Sequence, residues 1–220
     1  MENTEGKDNY IITTCHWEDV SIITKQKMQE LLKIDFDSAT EFCRLYFNKF
    51  DIVHKIGHVI IKLFHNESRD DKEAEDEYLA NLFTLKYFQF KNDKKYLFAL
   101  SNYMSEILAI YNTKLNYDAL KLNVIFDKYK QDVRTYGALH FLSFLKCFEE
   151  RANLKDVLET ISNGYIKSIN NGIILRNEIT GMELLNECLS LVFDLNNAQP
   201  DVKLKYIIDF DIQKLGKLDE

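Results

Sequence analysis

The sequence predicts a mainly α protein, a helical domain with at most a small β element, and three observations carry that prediction. Its 220 residues include one proline and seven glycines, so little interrupts long helices. Apolar residues recur at helical spacing through most of the chain, whereas β-branched alternation is confined to short stretches near its two ends. Hydrophobic residues make up 46%, with 15 Phe and 12 Tyr, enough for a substantial core.

In chain order, residues 1–9 form a polar tail, and Tyr10-Ile-Ile-Thr-Thr-Cys15 is short, β-branched and aromatic, the best strand candidate. Residues 18–33 read as a helix with Val20, Ile23, Met28, Leu31 and Leu32 as its apolar stripe. Asp37-Ser38-Ala39-Thr40-Glu41 is a capping-type start. From Phe42 through Phe50, His54 and His58 the spacing stays helical, giving one long helix or two bent near Asp51, ending around Phe64. Residues 66–76 read as a solvated turn and 75–90 as the next helix, broken by Asn92-Asp93. Residues 94–111, 117–129, 132–151, 154–169 and 180–195 each repeat the helical pattern, and 202–210 reads as a short strand or edge segment. The chemistry-bearing motifs lie in 1–92; residues 93–220 form a helical bundle region, either separate or continuous with the first.

A net charge of −7 and a pI near 5.3 argue against phosphate-driven nucleic-acid binding. No apolar run is long enough to span a membrane, and no signal-peptide pattern opens the chain, so a cytoplasmic protein is expected. Cys15, Cys43, Cys147 and Cys188 are widely separated and read as reduced thiols. There is no Gly-rich phosphate loop and no nucleophile elbow.

The informative stretch runs Phe50-Asp-Ile-Val-His54-Lys55-Ile-Gly57-His58, with Glu77-Tyr-Leu-Ala80-Asn81-Leu-Phe83 downstream. Histidines four apart on a helix present both imidazoles on one face, and a glutamate from the next helix completes the His/His/Glu set of zinc hydrolases. The reading without chemistry makes His54 and His58 two amphipathic residues on a half-buried helix. Zinc peptidases of this kind carry a glutamate after the first histidine as general base; here that position is Lys55.

Together these residues resemble the ImmA/IrrE-type zinc peptidases, part of the gluzincin-like metallopeptidases. The resemblance covers residues 50–90. It implies His54, His58 and Glu77 as zinc ligands, Ala80 and Phe83 as the packing surface between two helices, and Asn81 as a polar residue supporting the ligands. Three features depart from that pattern: Lys55 at the base position, helix in place of strands before His54, and a long helical region after Asp93.

A lysine ammonium has no lone pair with which to take a proton from bound water. The expected outcomes are a metal site without proteolysis, or loss of metal with Lys55 paired to Glu77 in its place. Lys55 facing solvent, one position off the histidine face, is equally open. Glu73 and Glu75 are alternative carboxylates, or simply a solvated charge run. Tyr136 and His140, four apart, are candidate oxyanion-stabilising groups or part of a core aromatic cluster. His65 reads as a helix C-terminal cap, and Cys15-His16-Trp17 as packing. The leading expectation is a degenerate zinc-metallopeptidase-like protein holding a peptide or protein partner in a groove between the His54/His58 and Glu77 helices. The alternatives are an active zinc hydrolase with another carboxylate as base, and a metal-free helical interaction module.

Overall fold

The computed structural model describes residues 9–64, 73–110, 133–162 and 201–207. These are mainly helical. The described helices are α1 (Ile22–Leu32), α2 (Phe36–Leu45), α3 (Asp51–Phe64), α4 (Glu73–Phe90), α5 (Lys94–Ile110), α6 (Val133–Lys146) and α7 (Leu154–Ser162). Strands β1 (Asn9–Cys15) and β2 (Asp201–Ile207) pair in parallel, with Asn9 opposite Asp201 and Cys15 opposite Ile207. The helices expected over 117–129 and 180–195 lie outside the described residues, as does the end of the one expected over 154–169.

Helix starts shift from their expected places for reasons of capping. Ser21 accepts from the Thr24 N–H, so α1 begins at Ile22 and Glu18 falls in a short 3-10 turn. Ile23, expected in the buried stripe, is 62% exposed. Asp35, rather than the Asp37 cluster, caps α2 by accepting from the Ser38 N–H at 2.9 Å. Asn92 at φ 56° turns the chain in the left-handed region, and Asp93 then accepts from the Tyr96 N–H to start α5.

Between α2 and α3 the chain runs through one π-turn, Tyr46–Phe50, close to the bend expected near Asp51. The Asp51 N–H reaches back to the Tyr46 carbonyl, five residues earlier. The Phe47 carbonyl, which an α-helix would have offered to Asp51, instead accepts from Thr14 Oγ1 at 3.1 Å. That exchange docks β1 against the helix carrying the histidines.

The core is one hydrophobic cluster drawing on both sides of residue 92. It includes Trp17, Phe42, Phe50, Ile56, Phe83, Leu100, Phe144 and Val157. Its tightest seam joins α3 and α4. A Cβ on Gly57 would lie 3.0 Å from Ala80 Cα and 3.3 Å from Phe83 Cδ1, so glycine there permits the close approach of the two helices. The packing role implied for Ala80 and Phe83 is what the structure has.

Candidate metal centre

Three helices build the site. α3 turns His54 and His58 to one face, one helical turn apart. The Gly57–Ala80 seam brings α4 near enough for Glu77, one turn before Ala80, to meet them. Phe50 lies beneath His54, its ring stacked at 5.6 Å and 14°, and fixes the plane of that imidazole.

His54 Nε2 lies 3.0 Å from His58 Nε2 and 3.2 Å from Glu77 Oε2, and His58 Nε2 lies 3.4 Å from Glu77 Oε1. A tetrahedral ion with bonds of about 2.0–2.1 Å holds its donors about 3.3 Å apart, so this spacing fits a zinc-sized cation. Glu77 Oε2 forms no hydrogen bond, although His54 Nε2 and, at 3.4 Å, His140 Nδ1 both approach it. The two ring nitrogens can share a hydrogen bond with each other, but Glu77 Oε2 is left buried without one, and a shared cation would satisfy all three donors. His54, His58 and Glu77 are thus able to hold a metal ion.

The protonation states suit the task. Burial lowers the His54 imidazole to about 3, keeping it neutral. Burial alone would raise the Glu77 carboxyl, but the close approach of the His140, His54 and His58 ring nitrogens outweighs it and holds the group well below its usual value, as an anion. A neutral imidazole and an ionised carboxylate are the forms that bind metal. The His58 side chain is 27% exposed against 7% for His54 and 11% for Glu77, so the accessible side of the cluster lies at His58.

Lys55 does not pair with Glu77. Its Nζ donates to Asp51 Oδ2 at 2.7 Å and to the Thr13 carbonyl of β1. One residue beyond His54, its side chain leaves the helix about 100° around from the histidine face and runs toward the strand. Asp51 Oδ2, at 2.6 Å, shares the single Thr14 hydroxyl proton with the Phe47 carbonyl, so strand and helix meet at this carboxylate.

The structure brings Tyr136 and His140 of α6 to the centre. Tyr136 donates its hydroxyl to Glu77 Oε1 at 3.1 Å. The His140 ring lies 4.8 Å from that of His54, and His140 Nε2 has no hydrogen-bond partner. Asn81 reaches across to α6 rather than to the ligands, donating to Ser143 Oγ at 3.0 Å and so tying the helix of His140 to the helix of Glu77. Glu75 is exposed, and neither His65 nor the Glu73 side chain falls among the described positions. Cys15 and Trp17 are buried in the core, and His16 pairs with Asp19, so none of the three joins the centre.

A cavity of about 440 Å³ opens beside the cluster, with His54, His58, Glu77, Lys55 and His140 in its lining. Much of the rest of the wall is apolar, with Leu31 and Leu32 from α1, Phe42 from α2 and Phe141 from α6. Sequence reasoning missed this wall and the part played by Asp51. The four-residue spacing of Asp51 and Lys55 was the available signal for the latter.

Comparison with known proteins adds no relative: no family model, no curated protein and no solved structure matches the chain. Among the described residues no helix is long and apolar enough to cross a membrane.

Proposed function

We propose that this is a degenerate zinc-metallopeptidase-like protein. Zinc sits on His54, His58 and Glu77, and the cavity beside it binds a peptide or protein segment without cleaving it. The observation that carries this reading is the state of Lys55. At the position where a zinc peptidase keeps its general base, the chain has an ammonium committed to Asp51 and to the Thr13 carbonyl. Two imidazoles and a carboxylate at tetrahedral spacing favour zinc over magnesium or calcium, which prefer oxygen donors. Three protein ligands leave a fourth position at which zinc would hold an oxygen of the bound molecule.

A second reading, an active zinc hydrolase using another group as base, has one observation behind it. His140 lines the same cavity, 4% exposed, with its Nε2 unpartnered.

Elemental analysis of protein purified without chelator tests the metal, with His58→Ala as control. About one zinc per chain, lost in the variant, supports the site; no zinc in either protein sinks both readings and leaves a metal-free helical module. A peptide-library digest by the zinc-loaded protein then separates them. Cleavage abolished by His54→Ala would replace the first reading with the second.

A further inference from the structure

The cavity beside the cluster has an uneven chemistry that points to a ligand class. Its polar lining comprises the His54/His58/Glu77 set, Asp51, Lys55 and His140. An ammonium has three donors, and the contacts to Asp51 and Thr13 use two of them. His140 is buried; its Nδ1 lies 3.4 Å from Glu77 Oε2, and its Nε2 has no hydrogen-bond partner. A buried polar group without a partner is costly, and a ligand acceptor or donor in the cavity would relieve it. Glu77 and Asp51 contribute two negative charges; a divalent zinc and Lys55 contribute three positive ones. One further anionic group would bring that polar lining to neutrality. The rest of the lining is largely apolar, with Leu31, Leu32, Phe42 and Phe141 among it.

Gly137 supplies an independent observation. It lies inside α6, next to Tyr136 and one turn before His140, at a place where glycine weakens a helix relative to alanine. Its backbone φ does not fall in the left-handed region, and a Cβ added to it would meet no atom of the described residues within 4 Å. Neither backbone geometry nor close packing calls for glycine there. The missing side chain leaves open space in the cavity wall.

We infer that the cavity takes an apolar ligand bearing one carboxylate, with the carboxylate beside the His54/His58/Glu77 set within reach of Lys55 and His140 and the apolar body lying past Gly137 against Leu31, Leu32 and Phe141. This rests on the zinc site proposed above. Two sources share the chemistry: a free aliphatic acid, and the C-terminal residue of a peptide chain.

The test is isothermal titration of the full-length, zinc-loaded protein, with zinc content measured on every sample. The probes are decanoate, decan-1-ol, and a hexapeptide ending in leucine with its C-terminus free or amidated. The expected result is binding of at least one carboxylate probe, at least tenfold tighter than its uncharged counterpart. Gly137→Leu is expected to weaken that binding at least tenfold at unchanged zinc content, and Gly137→Ala to weaken it by less. Decanoate binding identifies a free acid as the source, and binding of the free-ended peptide alone identifies a chain terminus; either supports the inference. Zinc-loaded protein that binds neither carboxylate probe, or that binds decanol as well as decanoate, overturns it. So does undiminished binding in Gly137→Leu. Should Gly137→Leu lose zinc or fold poorly, Gly137→Ala takes over the comparison, and unchanged affinity there counts against the inference. Protein without zinc would instead defeat the reading beneath, and the ligand assignment would fall with it.

Discussion

Lys55 Nζ stands 2.7 Å from Asp51 Oδ2, one helical turn back along α3, and the same ammonium reaches the Thr13 carbonyl of β1. The pair therefore does structural work at a position where a zinc peptidase would keep its catalytic carboxylate. Glutamate at this position sets two carboxylates four apart on the helix and removes the donor to a strand carbonyl. Lys55→Glu is expected to destabilise the protein by about 1–3 kcal/mol, the range for leaving a largely buried acceptor without its partner. Urea unfolding measures it, and an unchanged midpoint would show that the pair contributes nothing. Asp51→Asn/Lys55→Glu should recover part of the loss. That double variant is also the fairer test of whether a glutamate at this position supports hydrolysis, since Lys55→Glu alone changes charge and packing together.

Metal should stabilise the fold, because the three ligands come from two helices that the unfolded chain cannot hold together. A ligand at one hundred times its dissociation constant adds about 2.7 kcal/mol. Zinc-loaded protein should accordingly melt several degrees above chelator-treated protein. His58→Ala should melt at the same temperature with and without zinc. A zinc-dependent shift of equal size in wild type and His58→Ala would place the metal elsewhere.

The metal-free protein should lose stability on acidification in two stages. The folded value of His54 is about 3 against 6.5 when unfolded, so below pH 6.5 the unfolded chain takes up a proton that the native state does not. Stability then falls with pH by about 1.4 kcal/mol per unit. Glu77 is depressed well below 4.5 in the native state, so its contribution is complete above that value and is lost as the pH drops toward the folded value, adding a second proton below pH 4.5. Urea midpoints of chelator-treated protein between pH 8 and 3.5 follow this directly. His54→Gln should flatten the upper stage and keep a reduced lower one, since His140 and His58 still hold Glu77 low. A wild-type profile level from pH 6.5 to 4.5 would mean that His54 is not held neutral.

Much of this site could be read in the sequence, and the boundary has physical causes. His54 and His58 share a face because four residues make about one helical turn, a local property that any helix delivers. Glu77 could be assigned only through the surrounding Ala80 and Phe83, since which residue of a second helix meets the first depends on where the helices touch. Gly57 sets that contact. The Thr14–Asp51 bond spans 37 residues and arises from a strand docking on a π-turn, which leaves no periodic trace. Leu31 and Leu32 were legible as apolar but not as cavity wall, because a side chain facing an enclosed space follows the same period as one packed against protein.

Gly57 offers the sharpest test of how the helices make the centre. Alanine would favour the helix by up to about 1 kcal/mol, so on an exposed face the change would stabilise. Here its Cβ would lie 3.0 Å from Ala80 Cα, which is backbone and cannot rotate aside. Overpacking a seam of this kind costs typically about 1–3 kcal/mol, which exceeds the propensity gain. Separation of α3 from α4 by a few tenths of an ångström would also draw Glu77 away from His54 and His58, whose donors now lie 3.2 and 3.4 Å from it. Gly57→Ala should therefore be less stable than wild type without metal, and should bind zinc about tenfold more weakly in competition with a chromophoric chelator, a shift of about 1.4 kcal/mol. Ala80→Gly in the same background should relieve part of the crowding and restore part of the affinity. A Gly57→Ala protein that is more stable and binds zinc undiminished would mean that the contact between the two helices does not govern the metal geometry.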